Sequence, residues 1–382
     1  MKVLIVPMSA MAETHGTVSR CRLITEGLMK AGIDVATCMA KDVNFRVIIG
    51  VKNYDLDVPM PLGLPSFIAS KTFPVAQKLG ITSRKAVRSF DDVLFITGNL
   101  DQGYLKRSVE QIIRAIEDFS PDLVYSEFNI SAIIAAHLMG VRLFTTVSFP
   151  TQYQYAHNSG VSKGLNKLLK ELSLEQTDSA LKLFDHAECS FCPSIYELEP
   201  IDKPNVHFIG SLKKPDVINK ERNKILVYMG NGTISPNRML ETVKGAFKDT
   251  GYEVYIASAA LKEHTDGNLH IAPRWDFDSL LDESLLFLNH GGQNSVADGL
   301  IHGVPEICVP GRVFERIYNA DSLVRNKAGI SLRPEEFDAE NLRKAFNTMT
   351  GSPKYADNAA ALGKKLLSVG GIENIVDVIK RG

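Results

Sequence analysis

The stretch FLNHGGQNSVADGLIHGVP, Phe287 to Pro305, decides how the chain is read. An apolar run stops at Asn289-His290, two glycines follow, and a segment with helical spacing ends at Gly303-Val304-Pro305. That is a strand meeting a helix. Glycines at such a turn let backbone approach a ligand closely. A helix N-terminus offers unpaired N–H groups and a partial positive charge, which suits phosphate. His290 adds a side-chain donor. A second turn of the same kind closes VYMGNGT at Gly230, Asn231, Gly232 and Thr233.

Outward from this turn the same grammar repeats. In the first half, KVLIVPM, IDVATCM, PDLVYSEF and VRLFTTVSF read as strands. Val18 to Ala31 has helical spacing through Leu23, Ile24, Leu28 and Met29 and stops at Gly32; ISAIIAAHLMG is a second helix. In the second half, KILVYMG, YEVYIAS, SLLFLNH and EICVP are strands. The helices are Pro236 to about Lys248, NSVADGLIH, and Arg316 to about Arg325. The β–α–β order predicts an α/β protein of two doubly wound, Rossmann-like domains facing across a cleft. The 382 residues exceed one ordinary core. The polar, lysine-rich stretch near 211–223 reads as the linker. The expected division is 1–212, 213–365, and an amphipathic segment 366–382, ending in GGIENIVDVIKRG, that packs back toward the first domain.

The bulk composition narrows the classes. A net charge of -1 gives no global pull toward nucleic acid or an anionic membrane. Apolar residues at 45% and charged residues at 23% are ordinary globular values. No apolar run approaches the roughly 18 residues of a membrane span. MKVLIVPM is too short for a secretory segment and reads as a buried strand, so a cytoplasmic protein is expected. Cys189 and Cys192 form a lone C-x-x-C in a strand running into a proline turn. With no second ligand pair, they read as reduced core cysteines, not a zinc or redox site.

The run HGGQNSVADGLIHGVPEICVPGRVFERIYNADSL resembles the donor-binding signature of family-one glycosyltransferases of the GT-B fold, the UDP-glycosyltransferase and macrolide glycosyltransferase type. The matching positions are His290-Gly291-Gly292, Asn294-Ser295, Asp298, Gly303-Val304-Pro305, Pro310, Glu315 and Asn319-Ala320. The resemblance implies an inverting enzyme that moves a hexose from a nucleotide diphosphate sugar to a hydroxyl of a small, mainly apolar acceptor. It implies a GT-B fold and no tightly bound cofactor or metal. It places the diphosphate on His290, Gly291, Gly292, Asn294 and Ser295, with Asn231 and Thr233 at the neighbouring turn. Asp298 falls where the family often has a ribose-binding glutamate, which favours a UDP-sugar. Trp275 lies near the base, as a stacking platform or as a core tryptophan. Glu315 fits a sugar-binding position. Arg316 departs from the family's glutamine and would meet a second anion or point to solvent.

The catalytic loop departs further. The family's base is a histidine in the first β–α loop, oriented by an acid after a later strand. Glu127 maps onto that acid, whereas Thr17 stands at the histidine position and His15 lies two residues earlier. Three readings follow: His15 is the base and Glu127 orients it, Glu127 or another carboxylate is itself the base, or the position is vacant. The first domain would shape the acceptor pocket, with prolines and aromatics over 42–110 and the FPTQYQYAHNSG segment, Phe149 to Gly160, at a strand end. Arg84, Lys85 and Arg88 would be a solvated helix face or a weak membrane contact. A homodimer is compatible with this reading. The alternatives are a sugar-nucleotide epimerase on the same fold and a non-catalytic partner protein that keeps the fold.

Overall fold

The computed structural model describes residues 1–11, 16–42, 44–61, 86–218, 220–230 and 234–381. The first sheet runs β3-β2-β1-β4-β5-β6-β7. Its strands are β1 (Lys2–Pro7), β2 (Asp34–Ala40), β3 (Lys52–Leu56), β4 (Leu123–Glu127), β5 (Arg142–Thr146), β6 (Cys189–Cys192) and β7 (Val206–Phe208). Neighbouring strands are parallel throughout. With it lie α1 (Gly16–Lys30), α2 (Phe90–Ile96), α3 (Gln102–Phe119), α4 (Ile130–Met139) and α5 (Lys163–Glu171).

The second sheet runs β10-β11-β9-β8-β12-β13-β14 and is parallel apart from the edge pair β10–β11. Its strands are β8 (Lys224–Tyr228), β9 (Glu253–Ala257), β10 (His264–Asp266), β11 (Leu269–Ala272), β12 (Ser284–Asn289), β13 (Glu306–Cys308) and β14 (Gly329–Ser331). Its helices are α6 (Pro236–Phe247), α7 (Phe277–Asp282), α8 (Gln293–Ile301), α9 (Phe314–Arg325), α10 (Ala339–Thr350) and α11 (Lys354–Ser368). A last helix, α12 (Ile372–Arg381), follows.

The sequence dictates these elements locally. In β1 every residue after Lys2 is buried, because a parallel strand covered on both faces needs an unbroken apolar run. Helix α4 starts where the Asn129 side chain accepts from the Ala132 N–H, and Ile130 to Ala136 are buried on every side. Each sheet reverses its winding at one place, between β1 and β4 and between β8 and β12. Crevices at the carboxyl ends of such strands are where open α/β sheets bind ligands. There Glu127 ends β4 in the first domain and His290 follows β12 in the second.

Between β7 and β8 the described residues hold no helix or strand. Near the end, α11 packs along α8 and continues to Ser368, so the boundary expected at 366 falls inside a helix. The chain crosses back at Val369, Gly370 and Gly371. Helix α12 then lies on α1. Its Ile375 and Ile379, both fully buried, join Val3, Ile5, Cys21, Ile24 and Leu28 in one cluster. All five cysteines are free and buried. Burial pushes the Cys189 thiol up to about 12. No described helix is long and apolar enough to cross a membrane.

Since Ile375 is wholly enclosed between β1 and α1, Ile375→Ala should cost about 2–5 kcal/mol. A lowered urea midpoint with unchanged slope would show it.

Candidate donor-binding and catalytic cleft

The turn after β12 is built around the peptide of Gly291. Its N–H donates to Asn289 Oδ1 at 2.8 Å, and its carbonyl accepts from Asn319 Nδ2 at 2.9 Å. Asn289 is held from behind, donating through Nδ2 to Glu306 Oε2 at 2.5 Å. Glu306 and Asn289 are both fully buried. Burial drives the Glu306 carboxyl well above its ordinary range, against the hydrogen bond from Asn289. With the Gly291 N–H committed inward, the N–H groups that start α8 are the ones presented to the cleft.

Both glycines have a reason inside the protein. Gly291 sits at φ +77, and a Cβ there would stand 2.7 Å from the Arg316 carbonyl oxygen. A Cβ on Gly292 would stand 2.7 Å from His290 Nε2. The His290 ring also closes on Gly230, where a Cβ would lie 3.0 Å from Cε1, and stands edge-on to Tyr228 at 5.6 Å. The turn is therefore a socket for an imidazole as well as an approach for a ligand. Burial first, then the Arg316 charge, push His290 down to about 3, against a weaker upward pull from the Tyr228 backbone. It is neutral at physiological pH, and its Nδ1 has no hydrogen-bond partner among the described residues.

The remaining expected donor residues fall as follows. Asn294 is exposed and Ser295 buried, both in the first turn of α8. Asp298 is buried on α8, and both its oxygens accept from Lys213 Nζ at 2.8 Å. The carboxylate expected for a ribose is thus engaged by the interdomain connector. Trp275 is half-buried; its Nε1 donates to the Ile256 carbonyl at 3.1 Å and its ring meets Tyr255 edge-on. Its ring packs in the cluster of Leu226, Leu281 and Phe287. Glu315 and Arg316 open α9. Arg316 is turned inward: burial lowers its pKa, and Glu315 and Tyr228 are the charges it feels most. Asn231, Thr233 and His15 lie outside the described residues, as do Arg84 and Lys85.

On the opposite wall, Glu127 ends β4 with no exposure. Arg20 Nε donates to its Oε1 at 2.6 Å, and the Thr146 hydroxyl donates to its Oε2. Tyr125 shares a 2.7 Å hydrogen bond with that hydroxyl. Arg20 Nη1 reaches 3.4 Å from Gln293 Oε1, and Gln293 Nε2 donates to Glu199 Oε1 at 3.1 Å. Polar groups therefore run unbroken from the core of the first domain to the head of α8.

The FPTQYQYAHNSG segment serves the domain interface. Phe149 stacks on Tyr318 at 4.9 Å, Tyr155 meets Tyr318 edge-on, and the Phe149 N–H donates to Glu199 Oε2 at 2.6 Å. Tyr153 stacks on His157 and donates to Asp178, within the first domain. Sequence reasoning missed Asn289, Glu306, Arg20, Gln293 and Glu199 as parts of the site. Two carried a legible signal: a polar residue at the buried end of β12 and an acid opening β13, neighbours across the sheet, need each other.

Residues 252–380 match the C-terminal domain of erythromycin biosynthesis protein CIII-like proteins. The NDP-glycosyltransferase YjiC of Bacillus licheniformis is 26% identical over 306 residues, covering 72% of this chain and 76% of that one. The calicheamicin glycosyltransferase CalG4 superposes with a TM-score of 0.74 at 16% identity, covering 100% of this chain and 97% of that one. The spinosyn rhamnosyltransferase SpnG complexed with thymidine diphosphate superposes at 0.69 and 16% identity, covering 100% of both chains. The fold is GT-B. In sequence and in fold the chain is similar to family-one, macrolide-type glycosyltransferases.

Two outcomes follow. Gly292→Ala should displace the His290 ring and weaken nucleotide binding about tenfold or more, with thermal stability moved by only a few degrees, as titration calorimetry and a melting curve would show. Because His290 is already neutral far above pH 3, affinity for an intact sugar nucleotide should be flat from about pH 5.5 to 8. A rise in affinity with a midpoint near the ordinary histidine value of about 6.5 would show that the ring titrates in the binding range.

Proposed function

We propose that the chain transfers a sugar from a nucleoside diphosphate to a hydroxyl of a small, mainly apolar acceptor, with inversion at the anomeric carbon. The observation that carries the reading is the neutral His290, seated between two glycines beside the open N-terminus of α8. A neutral imidazole and several backbone N–H groups stabilise the departing diphosphate without burying a competing charge. Asn289, Glu306 and Asn319 hold that turn rigid before substrate arrives.

For the nucleotide, two donors are distinguished by one residue. UDP is supported by a carboxylate at Asp298 able to hold both ribose hydroxyls. The Lys213 ammonium on that carboxylate favours a deoxyribose donor, in line with the thymidine diphosphate carried by SpnG. A thermal-shift comparison of UDP, dTDP and GDP decides between them, and no shift with any of the three would sink the donor reading. Lys213→Ala should raise UDP affinity relative to dTDP by freeing the carboxylate.

For the base, the enclosure of Glu127 supports a positioning role, since neither oxygen reaches an acceptor without displacing Arg20 or Thr146. His15 immediately precedes Gly16, over which the Arg20 guanidinium folds, and is the group proposed to take the acceptor proton. His15→Ala should lower kcat by about a hundredfold or more with the donor KM little changed. Turnover within about twofold of wild type would remove His15 from the mechanism. The epimerase and non-catalytic alternatives predict, respectively, an epimerised free sugar nucleotide and nucleotide binding without transfer across a broad acceptor panel.

A further inference from the structure

We propose that Arg20 is a second cation for the donor diphosphate, supplied across the cleft from the first domain to the anion site at the head of α8. The inference rests on the nucleotide-sugar reading. Four observations carry it. The guanidinium is held by a 2.6 Å bond from Nε to Glu127 Oε1. Nη1 stands 3.4 Å from the side-chain oxygen of Gln293, the first residue of α8. That is long for a hydrogen bond, so Gln293 marks the direction in which the guanidinium faces an acceptor and does not saturate it. The side chain is only 11% exposed.

The fourth observation is electrostatic. Burial opposes the Arg20 charge, but Glu127 outweighs it, and Glu315 on the far wall adds to the effect. Glu315 is also the leading attractive charge on Arg316. Glu315, which with Arg316 opens α9, thus acts on a guanidinium from each domain. A diphosphate is the ligand whose chemistry matches two such groups, because an arginine fork pairs with two phosphate oxygens at once. A purely structural Arg20–Glu127 pair would require neither the approach to Gln293 nor the shared Glu315.

The test separates phosphate contact from support of the fold. Arg20→Gln and Arg20→Lys are made in the full chain. Affinities for UDP and dTDP are measured by calorimetry, and those for uridine and thymidine by ligand-observed NMR. Arg20→Gln should weaken the diphosphates about tenfold or more while the nucleosides stay within about twofold, and Arg20→Lys should recover part of the loss. Diphosphate affinity unchanged in Arg20→Gln, or a parallel fall for nucleosides and diphosphates, overturns the proposal. Should Arg20→Gln fail to fold because Glu127 is left unpaired, the double variant Arg20→Gln/Glu127→Gln carries the same readout without a buried charge. A wild-type chain that binds neither diphosphate overturns the nucleotide-sugar reading and this inference with it, a result distinct from loss of the Arg20 effect alone.

Discussion

The donor side of the cleft depends on the space around one peptide. Gly291 carries its N–H to Asn289 and its carbonyl to Asn319, while the Arg316 carbonyl leaves room for nothing larger than hydrogen at its α-carbon. A side chain there would push α9 off the turn. Through that contact the strand end, the head of α8 and the start of α9 become one rigid unit. The buried Glu306 sits behind it. Its cost of burial is lowered by the bond from Asn289.

Helix α9 carries this rigidity into the first domain. The hydroxyls of Tyr318 and Ser322 donate to the Leu198 carbonyl at 2.9 and 2.8 Å, and Phe149 stacks on Tyr318. At its start, Val87 and Val313 form a parallel bridge, with the Val87 N–H donating to the Arg312 carbonyl and the Phe314 N–H to the Val87 carbonyl. The helix that touches the donor turn is therefore also the main seam between domains.

Much of this was legible in the sequence, for identifiable reasons. Periodicity exposes parallel strands and amphipathic helices, so the doubly wound order and the strand-to-helix turn at His290 could be read without coordinates. Charge partnerships between distant residues leave no local mark. Nothing near Asp298 announces Lys213, 85 positions away, and nothing in the helix from Val18 announces that Arg20 meets Glu127, 107 positions away. The glycine pair was read as room for a ligand. Its packing role depends on where the imidazole of His290 comes to rest, which only the fold determines. At the expected boundary of 366, α11 runs on through Ser368, and the Gly370-Gly371 pair follows it with positive φ.

The Glu127–Arg20 pair changes what the first domain can do. A carboxylate enclosed with Thr146 and an arginine has its charge already balanced, so an imidazolium formed beside it would gain less from it than from an unpaired acid. The guanidinium's charge is offset by the same carboxylate, so what the pair turns toward the head of α8 is the Arg20 N–H group near Gln293. In the proposed transfer, that N–H group would assist the departing diphosphate.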